Sequence, residues 1–148
     1  MKTINIFILI GLGIILFGCA KENEDDPMAG ESEYVKRQYS LFLEYKTGDP
    51  QRAKAALETG IQETKEAPIE DISAFWKLQS LAFDQTRLAM VEEHLGNIQD
   101  AENYRIEALQ NINEWLVQGN REKIDYPKLL QSVVDADQEF EAPWHPQN

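Results

Sequence analysis

The sequence predicts an all-α protein: a five-helix antiparallel hairpin array that follows a cleaved signal helix and a flexible tether. Three observations predict it. Apolar residues recur at helical spacing between residues 33 and 141, short joints containing glycine separate the periodic segments, and residues 1–18 form an apolar leader. Because the joints are short, consecutive helices must run antiparallel. We therefore expect one helical domain over residues 33–141.

Composition limits the classes of function. The chain has 148 residues, a formal net charge of −12 and one cysteine, Cys19. Its length allows a single domain with its own core. Nucleic acids and anionic membrane surfaces carry the same sign of charge as the chain and would repel it, so we expect no nucleic-acid partner. A basic protein partner would be attracted instead. A single thiol excludes an intramolecular disulfide and a zinc site of clustered thiolates.

The amino terminus has the features of a secretory signal. Lys2 precedes an apolar run over residues 4–17, which is too short for a comfortable membrane span. The run ends in Leu16-Phe17-Gly18-Cys19, and this Leu-x-Gly-Cys pattern resembles the lipobox of bacterial lipoproteins. The resemblance implies that Cys19 carries diacylglycerol and fatty acyl chains such as palmitate, and that residues 1–18 are removed. An ordinary signal peptide with an incidental cysteine is the alternative.

The residues after the cysteine bear on location. In lipoproteins of some Gram-negative bacteria, aspartate directly after the cysteine is associated with retention at the inner membrane. Ala20 stands there, so the resemblance implies a lipid-anchored protein of the cell envelope at the outer membrane. Residues 19–32 are mostly acidic or small and lack the apolar side chains that would offset the entropy of ordering, so they predict a flexible tether.

The first helical hairpin is predicted over residues 33–64. Residues 33–46 place an apolar face on the first helix, and Gly48-Asp49-Pro50 provides a stop, a cap and a favoured first helical residue. The second helix, residues 50–64, turns small and apolar side chains inward: Ala53, Ala56, Leu57, Gly60 and Ile61.

The second hairpin, residues 72–116, has longer helices. Gly96 can end one helix in the left-handed conformation, and Asn97 can cap the next. The fourth helix is expected to have one buried face, formed by Ile98, Ala101, Tyr104, Arg105, Ala108, Leu109, Ile112, Trp115 and Leu116.

A fifth helix closes the array. Asp125 can cap it, and a polar side of Asp and Glu residues suits a terminal helix whose outer side meets solvent. Its buried stripe is predicted to be Leu129, Leu130, Val133, Ala136 and Phe140. Residues 142–148 contain two prolines and are expected to form a non-helical tail.

An internal repeat relates the two hairpins. Gly48, Ala53, Gly60 and Ile61 each stand 48 residues before a matching member of the second set: Gly96, Ala101, Ala108 and Leu109. With Leu88-Ala89 and Tyr104, the second set resembles a tetratricopeptide repeat. The period of 48 differs from the usual 34 of that family. A plain helical bundle whose hairpins share turn chemistry is the alternative.

No pattern in the sequence supports catalysis. His94 lies next to Glu92 and Glu93, but ligands on a helix need a spacing of three or four residues. The chain has no phosphate-binding glycine loop outside the leader and no serine nucleophile elbow. We therefore expect no enzyme activity, no catalytic residue, no cofactor and no metal.

These observations favour a membrane-anchored scaffold that binds or assembles proteins. The tetratricopeptide resemblance implies a concave groove lined by Arg37, Glu44, Gln85 and Glu92. One alternative is a carrier of small apolar ligands, in which four aromatic residues line a cavity: Phe75, Trp76, Phe83 and Trp115. Another is a dimer that joins through an exposed leucine side of the long hairpin: Leu78, Leu81, Leu88 and Leu95.

Overall fold

The computed structural model describes residues 30–140, which form five α-helices and contain no strand in that range. The predicted all-α fold is confirmed. The helices are α1 (Glu33–Tyr45), α2 (Pro50–Glu66), α3 (Ala74–His94), α4 (Ile98–Gln118) and α5 (Tyr126–Glu139). The signal peptide, the tether up to residue 29 with Cys19, and the tail at 142–148 lie outside the described residues.

Side-chain caps set most helix starts. The side chains of Ser32, Asp49, Ser73 and Asp125 each accept a hydrogen bond from the backbone N–H three residues later. The prediction that Asn97 caps α4 is wrong. Its side chain makes no capping bond and instead donates to Oε2 of Glu92 at 2.6 Å.

The turn between α3 and α4 reverses the chain in three residues. Gly96 has φ +82° and donates its N–H to the carbonyl of Glu93, while the N–H of Asn97 reaches the carbonyl of Glu92. This pair of bonds is a Schellman motif, and it satisfies carbonyls that the helix end leaves open. The predicted left-handed stop at Gly96 is confirmed.

α3 lies at the centre of the domain. It packs along α4 on one side and along α2 on another, α1 packs on α2, and α5 crosses both α3 and α4. Neighbours on several sides leave little of α3 in contact with solvent, so even polar side chains on it are buried.

Two apolar clusters meet at α3. One joins α3 to the first hairpin through Phe42, Tyr45, Leu57, Ile61, Leu81, Leu88 and Val91. The other joins it to α4 and α5 through Phe83, Met90, Ile112, Trp115, Leu116, Leu129 and Val133. Ala53 and Ala101, which share a position in the internal repeat, are fully buried. Small side chains at these positions let the helix backbones approach closely.

A buried ionic network fastens α5 across the domain. Arg87 on α3 donates from Nη2 to Oδ1 of Asp137 at 2.8 Å and from Nη1 to Asp84 at 2.9 Å. The hydroxyl of Tyr45 on α1 donates to Oδ2 of Asp137 at 2.6 Å. Asp137 is fully buried, and Phe140 packs edge-on against Phe42 at 5.8 Å between ring centroids. Three helices therefore meet at one carboxylate.

Burial and neighbouring charges shift the pKa values of the side chains in this network. Burial acts to lower the pKa of Arg87, but the neighbouring Asp137 and Asp84 carboxylates outweigh it and the pKa is raised. Burial and the charge of Asp137 raise the pKa of Tyr45 well above its ordinary value. Burial also raises the pKa of Asp84, against the opposing effect of Arg87. Arg87 therefore stays charged and needs its carboxylate partners.

Removing the central carboxylate should destabilise the fold strongly. Asp137→Ala leaves a buried guanidinium without its main partner, so we expect the free energy of unfolding to fall by about 3–5 kcal/mol. Urea denaturation of the purified chain measures it. The control is Glu63→Ala, which removes the partner of the exposed Arg37 and should cost less than about 1 kcal/mol. Equal losses in the two variants would contradict the role given to Asp137.

Candidate functional site

Two of the four predicted groove residues lie on the surface of α1. Arg37 is exposed, and its Nε donates to Oε1 of Glu63 at 3.1 Å. Glu44 is partly exposed and pairs with Arg52. Both ion pairs link α1 to α2. A binding role for Arg37 and Glu44 stays a prediction.

The other two predicted groove residues are buried between helices. Gln85 is 1% exposed, donates to Oε2 of Glu107 at 2.6 Å and accepts from Asn111 at 2.8 Å. Glu92 is also 1% exposed and pairs with Nζ of Lys54 at 2.7 Å. The expectation that Gln85 and Glu92 face an open groove is therefore corrected. α2 and α4 cover those sides of α3, and the polar atoms bind each other.

The aromatic residues proposed to line a ligand cavity pack against one another. The ring centroids of Phe75 and Trp115 are 5.5 Å apart, and those of Trp76 and Trp115 are 6.1 Å apart. Phe83 and Trp115 are buried in the cluster shared by α3, α4 and α5. These contacts favour a role in the core, and the carrier alternative stays a prediction.

The leucine side of the long hairpin does not form an exposed stripe. Leu88 is fully buried and Leu81 is buried, while Leu78 and Leu95 are partly buried against the core clusters. The first hairpin covers Leu81, Leu88 and Leu95. The exposed stripe that the dimer alternative predicts on this side is therefore absent from the described structure.

Three of the large apolar side chains that the described residues expose lie on α4, and Leu43 on α1 and Ile69 between α2 and α3 are exposed as well. Ile98, Ile106 and Val117 are 59%, 49% and 52% exposed, although each is a large apolar residue. Leu109 is partly buried beside them. The sequence-based expectation that Ile98 belongs to the buried face of this helix is wrong, because Ala101, Ala108, Ile112, Trp115 and Leu116 fill that face. Leu109 packs, partly buried, against the core cluster that α4 shares with α3 and α5.

We call this second surface the outer stripe of α4. It consists of Ile98, Glu102, Ile106, Leu109, Asn113 and Val117. At 100° per residue, these six positions fall within about 100° of the helix circumference, next to the buried face. The spacing of these residues is visible in the sequence. A second line of apolar residues beside the core face of α4 is the signal that could have predicted this surface.

Two connected grooves follow the outer stripe. The larger has a volume of about 610 Å³ and is lined by Ile106, Leu109, Gln110, Asn113, Glu114, Val117 and Lys123. The smaller, of about 300 Å³, is lined by Glu102, Arg105, Ile106, Leu109 and Tyr126. Because both include Ile106 and Leu109, they form one depression between α4 and the segment that enters α5.

The side chain of Asn113 binds the loop that forms one wall of this depression. Its side-chain Nδ2 donates to the carbonyl of Ile124 at 3.0 Å, and its Oδ1 accepts from the N–H of Ile124 at 2.8 Å. One amide thus satisfies both backbone groups of a loop residue that has no helical partner. The segment from Ile124 to Tyr126 is consequently fixed alongside α4.

The charges at the rim are largely paired. Arg105 forms ion pairs with Glu93 and Glu102, and its guanidinium lies 5.8 Å from the ring centroid of Tyr126. Burial acts to lower the pKa of Arg105, and Glu93 outweighs it, so the pKa is raised. Burial raises the pKa of Tyr126. The rim therefore holds both signs of charge around an apolar floor.

The depression can contact a partner through its concave shape and its apolar side chains. Within residues 30–140, no three His, Cys, Asp or Glu side chains come together as metal ligands would. In the same part of the chain, none of the helices is both long enough and apolar enough to cross a membrane. His94 is exposed at the end of α3, and His145 lies outside the described residues.

Comparison with known proteins finds no matching family model, no matching curated protein and no matching solved structure.

A substitution can establish whether the domain itself leaves the outer stripe uncovered. Ile106→Glu should change the free energy of unfolding by no more than about 0.5 kcal/mol, because the new carboxylate stays in water. Ile112→Glu on the buried face of the same helix should cost more than about 3 kcal/mol, because it buries an unpaired charge. Urea denaturation in dilute solution measures both. Similar losses would mean that another part of the chain covers Ile106.

Proposed function

We propose that this chain is an extracytoplasmic lipoprotein, anchored by lipid on Cys19, whose helical domain docks a helix of a protein partner on the outer stripe of α4. The observation that carries the docking role is the set of large apolar side chains exposed along one line of α4. Single exposed apolar residues are normal on soluble proteins, whereas several of them along one side of a helix favour an interaction site.

The dimensions of the depression suit a helical ligand. From Ile106 to Val117 the stripe rises about 16 Å, or three helical turns. An amphipathic helix places apolar residues along one side at intervals of three and four, and this matches the spacing of the stripe. An apolar floor with a polar rim is also the usual composition of a protein interface.

The proposed anchor places this surface near a membrane. Thirteen residues, 20–32, separate the lipobox cysteine from α1, so the domain could lie at most roughly 45 Å from the lipid. Lipid chains contribute about 0.8 kcal/mol per buried methylene, and two or three chains hold a soluble domain at a bilayer. Confinement of this kind favours partners in the same envelope layer, which we propose is the outer membrane.

A tetratricopeptide-like arrangement of the two hairpins is part of the proposal. Gly48 and Gly96 share a positive φ, of +80° and +82°. Their partners in the repeat, Ala53 and Ala101, are fully buried, and Gly60 is buried like Ala108. These shared features support two related hairpins, each built from one turn and one close helix crossing.

The anchor is tested by metabolic labelling. Cells that express the chain are fed a radioactive fatty acid, and we expect label on the chain and its recovery with membranes. Cys19→Ser should remove the label, because no other thiol is present. Unchanged label in Cys19→Ser would contradict lipidation at this residue.

The docking surface is tested by photo-crosslinking in intact envelopes. A photoreactive amino acid at Ile106 should give a defined adduct with a protein, because that side chain would lie inside the interface. The matched control places the same group at Asn103, which is exposed on the charged side of α4. Val117→Glu, at an exposed position of the same line, should suppress the adduct at 106. Equal yields at both positions, or none, would contradict a docking role for the stripe.

A further inference from the structure

The last helix, α5, is attached to the rest of the domain by different contacts at its two ends. Just before its start, Asn113 on α4 binds both backbone groups of Ile124. Near its end, Asp137 accepts hydrogen bonds from Arg87 on α3 and Tyr45 on α1. Between these points α5 covers part of the apolar cluster that it shares with α3 and α4, through Leu129, Val133 and Val134.

The other four helices hold together without α5. Both α2 and α4 pack extensively along α3, and α1 packs on α2. The backbone of α5 comes close only to α3 and α4, and it does so over a shorter length than any other packed pair in the described domain. Segments with few close contacts open at lower free energy than the rest of a domain.

Arg87 has support that does not come from α5. Its Nη1 donates to Asp84 of the same helix at 2.9 Å. Its guanidinium carbon also lies 5.0 Å from the ring centroid of Phe42 and 5.7 Å from that of Tyr45, both on α1. One carboxylate and two aromatic rings therefore stay beside the charge when α5 moves away, and entering water supplies further partners. Opening of α5 avoids the unpaired buried charge that makes the loss of such an ion pair costly.

We propose that α5 is a strap that opens as a unit from the body formed by α1 to α4, and that Asp137 is the latch that holds it closed. The attachment of Ile124 to Asn113 is the point about which the strap turns. The closed form is the one that the structure shows. Opening gives Asp137 and Tyr45 water as their partner and uncovers the side of α3 and α4 that α5 covers. This inference concerns a different surface from the outer stripe of α4 and does not depend on docking there.

The burial of the latch makes the opening all-or-none. Asp137 is fully buried, so a small displacement that breaks its hydrogen bonds without admitting water leaves a carboxylate without partners. A partly open strap is therefore less stable than either the closed or the fully open form. The strap is expected to move as one cooperative unit.

Hydrogen exchange of the purified full chain measures the opening. When closing is faster than exchange, the exchange rate of a protected backbone N–H reports the population of the form that exposes it. Amides in the middle of α5 should exchange at least about tenfold faster than those in the middle of α3. They should also respond less to urea, because opening one helix exposes less surface than unfolding does. Equal rates and equal urea dependence in the two helices would overturn the proposal.

Two matched tyrosine variants test the latch. Tyr45→Phe removes a hydrogen bond to Asp137 that exists only in the closed form, so the amides of α5 should exchange at least about tenfold faster. The control is Tyr34→Phe, because the Tyr34 hydroxyl bonds Thr64 at 2.9 Å and joins α1 to α2 in both the closed and the open form. It should speed exchange in α3 and leave α5 unchanged. Equal acceleration of α5 by the two variants would contradict the latch.

A second variant changes the latch on the strap itself. Asp137→Asn keeps the shape of the side chain and removes its charge. It should speed exchange in α5 more than Tyr45→Phe does, because hydrogen bonds between charged groups are stronger than those with a neutral donor. Protection retained in α2, α3 and α4 beside a rapidly exchanging α5 would support the strap. Loss of protection in all five helices together would mean that the body needs α5 to fold, and would overturn the proposal.

Discussion

The domain depends on the requirement that a buried guanidinium keep its partners. Arg87 lies on the central helix, where neighbours on several sides exclude water, and its charge must be met by carboxylates within reach. Asp84 supplies one from the same helix, and Asp137 supplies the other from α5. Since Tyr45 donates to the same Asp137, the network fixes α1, α3 and α5 relative to one another. The position of α5 also sets where its first residue, Tyr126, borders α4.

Two adjoining sides of α4 have different surroundings. Small and apolar residues on one side, such as Ala101 and Ala108, allow close packing along α3. The adjoining side carries Ile98, Ile106 and Val117, which the rest of the described domain leaves about half exposed. The loop from α4 to α5 lies alongside this line because Asn113 satisfies both backbone groups of Ile124. A rigid wall and an exposed apolar line together make a surface with a defined shape, which is what docking a helix requires.

The proposed anchor and the proposed interface act in the same direction. A tether from a lipid restricts each domain to a thin layer beside the bilayer, where weak contacts between neighbours become effective. The acidity of the chain works against indiscriminate association, because copies of the chain repel one another at long range. Both properties favour a docking contact that acts between proteins held at the same membrane.

Local rules in the sequence determined the helices, but only the tertiary structure decided which of their sides are covered. The caps at Asp49 and Asp125 and the glycine turn at Gly96 could be predicted, because each depends on a few neighbouring residues. The burial of Gln85 and Glu92 could not, since it requires Glu107, Asn111 and Lys54 to approach from other helices. Periodicity likewise assigned Ile98 to the buried face of α4, although its side chain is 59% exposed because α3 and α5 cover only part of that helix. A pattern within one helix reports how many apolar residues it has, whereas the arrangement of its neighbours decides which of them meet water.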